Sequence, residues 1–562
     1  VTQEGRDRPA AGISTPLAVK YAVLLSIASG VLYFLAFPGI DLWPLSFVAL
    51  APLFIALRGQ SPRRAAWLGW ASGFTMTMLG FYWLLDMLET FSGFGPVLCL
   101  LFAAILCGYQ AGRIALLGWL HARISARGYS GVWAFTLGFA ASEQAFPLLF
   151  PWSYAATVHQ IPALIQLAEL GGPILVALPL VLANVGIAEL WLGRRARRPI
   201  RWRAVAPLLA APLVAVLYGA VRIPAVDATV QAAPKGRVGV VQANMSLLAK
   251  RHNKGEGLRR HIELTRQLTA QGKLDLVVWS ETSVMSAMDE QDLSAAVPNR
   301  FAATLGVPAL FGAVIFKPVD DQRQYILYNS ALLTDAHGQV VGRFDKQRLV
   351  LFSESMPFGD TFPILYEWSP NSGKFVPGTR FDPLSVGQHQ VATIICYEDI
   401  IAGFVNRIVN NGDPDLIANL TNDAWFGDTT EPWIHLALAE LRAVEHRRFF
   451  VRSTNSGVSA FIDPVGRVVA HTDTFREQAL AHEIAWLHGR TAYELLGDVP
   501  WWLVSVLAVA LAFIPSRSGK LDVTLSVGQR ASAGGADMSV GWRKKARAWF
   551  ARRSGDSPAD GE

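Results

Sequence analysis

The chain has 562 residues, 52% of them hydrophobic and 17% charged, with a formal net charge of +6. That length leaves room for more than one domain, and an apolar content this high excludes an ordinary soluble domain and a wholly disordered chain. The surplus of Lys and Arg sits in loops beside apolar runs, so it requires no nucleic-acid partner. Runs near the ~17 to 25 residues needed to cross a bilayer core fall at 19–37, 43–58, 65–85, 94–119, 130–149, 162–192 and 204–222, and once more at 499–515. They predict an N-terminal segment (1–16), seven transmembrane helices (17–222), a polar insert (223–498), an eighth span (499–515) and a tail (516–562). The first run is longer than a signal-peptide core and no small-residue cleavage site follows it, so it reads as an anchor.

Loops rich in Lys and Arg resist translocation. Arg6 and Arg8 precede the first span, Arg58, Arg63 and Arg64 follow the second, and Arg123 and Arg127 follow the fourth. The loop after the sixth carries Arg194, Arg195, Arg197, Arg198, Arg201 and Arg203, which read as a topology determinant. All of these fall on one side, the cytoplasm, which places 223–498 outside and returns Arg543, Lys544, Lys545 and Arg547 inside. The tail is rich in Ser, Gly, Ala and Arg without apolar period, the composition of a disordered segment. Cys99 and Cys107 lie in the fourth run and read as packing residues. Glu143 and Glu169, in or near spans, are expected to make interhelical hydrogen bonds near the outer interface.

From residue 236 short β-rich runs alternate with amphipathic stretches. Strands are predicted at 237–244, 274–280, 308–315, 325–334, 339–344, 390–396, 415–420, 449–453, 457–463 and 466–471, and helices at 255–271, 289–305, 400–410 and 431–447. Continuous apolar runs such as Leu-Val-Val-Trp suit strands covered on both faces, which implies an α/β layered domain. His435 and His446 are too far apart along the chain for a metal-ligand pair and read as helix-surface or core residues.

Three chemistry-bearing residues each end a strand-like run. Glu281 closes Leu-Asp-Leu-Val-Val-Trp-Ser-Glu, Lys346 follows Gly-Arg-Phe-Asp, and Cys396 closes Val-Ala-Thr-Ile-Ile-Cys. Taken singly they read as a helix-start carboxylate, a surface charge and a core packer; their value is joint. Cys396 is the one cysteine of the insert and has no partner for a disulfide there. A thiol needs a base or a nearby positive charge to become a nucleophile. Glu281 suits the base, and Lys346, with the backbone N–H of Tyr397, suits the stabiliser of a thiolate and of an oxyanion.

The order Glu281, Lys346 in Phe-Asp-Lys-Gln-Arg-Leu-Val and Cys396 in Ile-Cys-Tyr-Glu resembles the Glu, Lys, Cys triad of the nitrilase superfamily. Asn-Leu-Thr-Asn-Asp-Ala-Trp-Phe-Gly-Asp (419–428), Pro432-Trp433-Ile-His435, Arg-Ser-Thr-Asn-Ser-Gly (452–457) and Asp-Pro-Val-Gly-Arg (463–467) extend the likeness. With the spans, residues 17–515 resemble the bacterial apolipoprotein N-acyltransferase family. The resemblance implies an eight-helix transmembrane bundle carrying an extracytoplasmic nitrilase-like αββα sandwich in the bacterial inner membrane, with the active site on the periplasmic side. It implies ping-pong transfer of an sn-1 acyl chain from phospholipid, commonly phosphatidylethanolamine, to Cys396 and on to the α-amino group of the diacylglyceryl-cysteine of an apolipoprotein. No cofactor or metal is implied, and a monomer is expected.

Glu354 and Glu398 match supporting positions of the family, and Asn329 is expected to hold the hairpin that bears Lys346. The stretch 356–368, with Phe358, Phe362 and Trp368, is the candidate lid, and Trp425 and Phe426 are candidates to line an acyl pocket. Ser280, Leu351 and Ser353 depart from the family pattern, as do Lys250, Arg251 and His252 where a tryptophan is common. Extracting one long acyl chain into water costs on the order of 10 kcal/mol at ~0.8 kcal/mol per CH₂, so the site is expected beside the outer leaflet. A membrane-tethered nitrilase-type hydrolase would use the same triad but has no need of seven preceding spans. A transporter is disfavoured by the few charges in the spans and the lack of an inverted repeat.

Overall fold

Apolar helices occupy the chain up to Ala232: α1 (Val19–Leu35), α2 (Ala51–Leu57), α3 (Pro62–Gly80), α4 (Leu84–Ser92), α5 (Pro96–Gln110), α6 (Gly112–Ser125), α7 (Gly131–Ala145), α8 (Pro162–Ile165), α9 (Ala168–Arg195) and α10 (Trp202–Ala232). The structure, a computed structural model, describes residues 16–246, 254–319, 325–351, 353–356, 358–368 and 372–516. The expectations placed on Arg6, Arg8, Lys250, Arg251, His252 and the tail from 517 lie outside the described residues. Proline opens α3, α5 and α8, where its missing N–H leaves no hydrogen bond unmade. Helices α3 and α6 approach closely because a Cβ on Gly69 would lie 2.2 Å from the Ile114 oxygen and one on Gly118 2.3 Å from the Ala65 oxygen.

Among the described residues three stretches are long and apolar enough to cross a membrane: Pro96–Ser125, which joins α5 and α6, then α9 and α10. The run at 43–58 is a 3₁₀ turn (Trp43–Phe47) followed by the short α2, because Pro44 and Pro52 each start a new helical segment. The run at 65–85 divides between α3 and α4, and that at 162–192 between α8 and α9. Within α9, Gly172 takes φ 65 and ψ −163, a conformation open to glycine, and breaks the helix just before Pro173. The last run before the insert continues past 222 to Ala232.

The α/β domain then runs β1 (Lys235–Gln242), α11 (Lys254–Ala270), β2 (Leu276–Trp279), β3 (Val284–Asp289), α12 (Leu293–Arg300), β4 (Ala309–Pro318), β5 (Tyr325–Thr334), β6 (Val340–Asp345), α13 (Ile364–Trp368), β7 (Leu384–Val386) and β8 (His389–Ile395). It continues with α14 (Ala402–Asn410), β9 (Leu416–Thr421), α15 (Glu431–His446), β10 (Phe449–Thr454), β11 (Ala460–Ile462), β12 (Val468–His471), β13 (Gln478–Ala485) and α16 (Ala492–Leu496), after which the apolar α17 (Val499–Phe513) returns to the bundle and packs on α6 and α7. One sheet has the order β13-β1-β2-β4-β5-β6 with β3 beside β4, the other β12-β11-β10-β9-β8-β7. Val240, Val278 and Leu310 of the first sheet share a core with Ile394, Ala418 and Val451 of the second, so the sheets pack face to face. Leu264 of α11 and Val297 of α12 cover the outside of the first sheet. Val405 of α14 and Ala439 of α15 cover the second. The order is helix, sheet, sheet, helix.

Strands β2 and β9 are buried along their whole length, as their unbroken apolar runs require. The helix predicted over 289–305 shrinks to α12 between two 3₁₀ turns. Its first residue, Asp289, ends β3 instead, and Phe301, extended at φ −165, stops α12 before the second turn. The domain docks on the bundle through α15, whose Ile434, Leu438 and Leu441 belong to the same core as Ile165 and Ala168.

Candidate active site

Parallel strands put their C-terminal ends on one edge of a sheet, and groups placed there converge. Glu281 lies just beyond β2, Cys396 just beyond β8, and Asp423 just beyond β9. The Glu281 N–H donates to the Thr421 oxygen across the two sheets at 3.3 Å. Lys346 directly follows β6, and its N–H donates to the Asn329 oxygen of β5 at 2.8 Å.

The Lys346 ammonium lies 3.1 Å from Glu281 Oε1 and 2.9 Å from Glu354 Oε2. Asn329 Nδ2 donates to both carboxylates at 2.7 Å, so one amide and one ammonium hold the pair in place. Glu354 also accepts the Val350 N–H at 2.8 Å. Burial alone would lower Lys346, but Glu281 and Glu354 outweigh it and hold the ammonium well above the ordinary lysine value.

Cys396 is partly exposed, with φ 53, a left-handed conformation that costs a non-glycine residue on the order of 1 to 3 kcal/mol. Two neighbours keep it there. Asn419 Nδ2 donates to the Cys396 oxygen at 3.1 Å. Glu398 accepts N–H groups of Ile395 at 2.8 Å, Gln347 at 2.7 Å and Arg348 at 2.9 Å, tying the end of β8 to the loop after Lys346. Burial and then the Glu281 carboxylate push the Cys396 thiol up, against the lowering pull of Lys346. The resting sulfur is therefore a thiol, with a carboxylate and an ammonium both in electrostatic reach.

Beneath Cys396 lies a buried ionic group that sequence reasoning did not assemble. Arg452 pairs with Asp399 at 2.6 Å and Asp423 at 3.0 Å, and His435 bridges the same two carboxylates at 2.7 and 3.3 Å. Burial and Arg452 lower His435, but Asp399 and Asp423 bring it up to about 9, so it is an imidazolium. Glu431 is held well above the usual carboxyl range, first by burial and then by Asp423. Asp423, Glu431 and His435 are the one group with metal-like spacing among the described residues, yet both His435 nitrogens face carboxylates and Arg452 already supplies positive charge. His435 is thus a core residue. The signal was present in Asn-Asp-Ala-Trp and Pro-Trp-Ile-His, but no periodicity says that these segments meet.

The remaining site residues are dispersed. The Tyr397 hydroxyl donates to the Leu149 oxygen in the loop after α7 at 2.9 Å, fastening the residue after Cys396 to the bundle. The Phe426 ring stacks edge-on against Trp83 of the bundle at 5.1 Å, and Trp425 beside it is half-buried. Phe358 and Phe362 are exposed, and the Trp368 side chain lies outside the described residues. Ser280 packs its hydroxyl 3.4 Å from His261 Nε2, while Leu351 is half-exposed at the rim. Glu143 pairs with Arg113 of α6 at 2.7 Å, and Glu169 joins Arg222 of α10 to Arg447 of the α/β domain.

The family model for the apolipoprotein N-acyltransferase N-terminal domain matches residues 29–186, and that for carbon-nitrogen hydrolase matches 237–488. An apolipoprotein N-acyltransferase of Geobacter metallireducens is 31% identical over 505 residues, 87% of this chain and 95% of that one. One of Pseudomonas putida is 32% identical over 510 residues, 88% of this chain and 97% of that one. The chain belongs to the apolipoprotein N-acyltransferase family. Membership makes it an acyltransferase, and the carbon-nitrogen hydrolase match covers the domain that carries Glu281, Lys346 and Cys396. Among solved structures, a member of branch 10 of the nitrilase superfamily from Saccharomyces cerevisiae is 17% identical with a TM-score of 0.35, over 47% of this chain and 94% of that one.

Proposed function

We propose that this apolipoprotein N-acyltransferase family member carries an sn-1 acyl chain from a phospholipid, phosphatidylethanolamine by family resemblance, through a thioester on Cys396 to a diacylated apolipoprotein. Glu281 takes the Cys396 proton as the sulfur attacks the ester carbonyl. Lys346 and the Tyr397 N–H stabilise the oxyanion. The tetrahedral adduct collapses, the sn-1 oxygen leaves with the proton held by Glu281, and a lysophospholipid departs. The α-amino group of the diacylglyceryl-cysteine then attacks the thioester, Glu281 takes the amine's proton, and that proton returns to the leaving sulfur. Glu354 and Asn329 position Lys346 and Glu281, and Glu398 holds the end of β8.

The reading includes eight spans, a periplasmic α/β domain and a monomer in the inner membrane, with residues 356–368 as the lid and Trp425 and Phe426 toward the acyl chain. What carries it is the contact of Glu281 and Glu354 with one ammonium, beside a thiol whose next residue is fastened to the bundle. Both substrates are lipids, and the nucleophile stands where the α/β domain meets apolar helices.

The test is the intact mass of the full chain after incubation with phospholipid. The expected product is an acyl-sized increment on Cys396 that hydroxylamine removes, that Cys396→Ala lacks, and that passes to the amine of a diacylated lipopeptide. Release of free fatty acid with no acylated peptide would favour the hydrolase instead, and a chain without any covalent increment would defeat the thioester.

A further inference from the structure

The bundle and the α/β domain also meet at a second place. Helix α15, ~24 Å long at ~1.5 Å per residue, separates it from the site, with Glu431 and His435 at one end and Arg447 just beyond the other. There a cavity of about 350 Å³ is lined by Glu169 and Leu170 of α9, Tyr218 and Arg222 of α10, and Arg447 and Arg490 of the α/β domain. Glu169 accepts the Tyr218 hydroxyl at 2.5 Å, Arg222 at 2.7 and 2.9 Å, and Arg447 Nε at 2.8 Å. Arg447 Nη2 is buried without a partner, and Arg490 is exposed and makes no ion pair among the described residues. Arg448 and His488 also line the cavity but face Asp413 and Asp415 respectively. Arg222 and Arg447 therefore share the Glu169 carboxylate while Arg490 adds a third guanidinium to the lining, which leaves an excess of positive charge.

The depth of the cavity matters as much as its sign. Arg222 is the first charged residue after the uncharged run 204–221 of α10, and on the reading of that run as the span it stands at the phosphate level of a bilayer. Leu213, Leu217 and Val221 form an exposed aliphatic stripe one residue round the helix from Tyr218 and Arg222. A ligand that fits both features has an anionic phosphate head and hydrocarbon chains.

We infer that this cavity binds the phosphodiester headgroup of an anionic phospholipid, with its acyl chains along Leu213, Leu217 and Val221, apart from the catalytic centre. Guanidinium groups suit phosphate oxygens through paired N–H donors. The inference rests on the reading of α9 and α10 as membrane spans.

The experiment uses the full chain carrying Cys396→Ala, so that no lipid is consumed, in neutral detergent. Native mass spectrometry compares retention of phosphatidylglycerol, phosphatidylcholine and inorganic phosphate. Phosphatidylglycerol should be retained over phosphatidylcholine. Arg490→Gln, at an exposed position whose loss breaks no ion pair, and Arg222→Gln should each lower that retention roughly fivefold. Equal retention of the two lipids, or retention unchanged in Arg490→Gln, would overturn the site. Displacement of phosphatidylglycerol by equimolar inorganic phosphate would overturn the lipid as its source and assign the cavity to a free anion. Acyl transfer that survives Cys396→Ala would sink the catalytic proposal and leave this one standing.

Discussion

Glu398 is expected to set the pH behaviour of the site. It accepts three main-chain N–H groups, from Ile395, Gln347 and Arg348, and a proton on either oxygen would oppose one of those donors. Burial raises its pKa to about 7 in spite of the lowering by these N–H groups. Acyl transfer is therefore expected to fall as pH drops through about 7, when the end of β8 loses its tie to the Lys346 loop. Stability moves the other way. A carboxyl whose folded pKa lies above its unfolded value of ~4.3 contributes stability that is full below that value and is lost as pH rises through about 7. Glu398→Gln, whose amide would face the same N–H groups, should lose most activity at every pH and flatten that slope, checked by rate profiles and melting temperatures from acid to neutral pH. Lys346→Met removes the one cation that Glu281 and Glu354 share. It should slow acylation by roughly 100- to 1,000-fold, the usual cost of losing an oxyanion donor, and lower the melting temperature because two buried carboxylates are left facing each other. Single-turnover acylation read beside thermal unfolding separates the two effects.

Elements bring these residues together, and small features of the elements decide how well. Gly312 of β4 lies against the backbone of Glu281: a Cβ there would stand 2.4 Å from the Thr282 nitrogen and 2.7 Å from the Glu281 Cα. Gly312→Ala should cost about 1 to 3 kcal/mol as an overpacked position and shift Glu281 away from Lys346, so the acylation rate should drop by more than the loss of stability explains. Helix α15 has its own pH signature. His435 stands at about 9 in the fold, raised by Asp399 and Asp423 against burial and Arg452. Its contribution to stability is present below the unfolded value of ~6.5 and is lost as pH rises through about 9, a slope that His435→Gln should abolish in thermal unfolding.

The strands that carry chemistry were legible because each is a buried apolar run that ends abruptly at a polar residue, as in β2 before Glu281 and β8 before Cys396. Strand β13 was not, since Gln-Ala-Leu-Ala-His-Glu-Ile-Ala carries little β-forming preference and is set by its full-length pairing with β1. The Asp399, His435 and Arg452 network was hidden for a similar reason, because three separate elements supply it and only the fold joins them.

At the scale of the whole molecule the open question is which way the chain faces. Hydropathy predicted runs of the right length, but the structure divides several of them at Pro44, Pro52 and Gly172, and three stretches among the described residues remain long enough to cross alone. The contacts of the α/β domain with the bundle restrict the answer, since the domain is fastened to one end of the helices through Tyr397 to Leu149, Phe426 to Trp83 and Arg447 to Glu169. Arg63, exposed at the start of α3, lies in a loop whose basic charge should keep it in the cytoplasm. Arg380 is exposed on the α/β domain and pairs with Asp382 alone. In a Cys396→Ala background the remaining native cysteines, Cys99 and Cys107, are buried in α5, so single cysteines at these two positions report on orientation without interference. In intact spheroplasts a membrane-impermeant maleimide should label Arg380→Cys and leave Arg63→Cys unlabelled until the membrane is opened. Labelling of Arg63→Cys alone would put the acyl-transfer chemistry on the cytoplasmic side, and equal labelling of both positions would contradict the charge asymmetry of the loops.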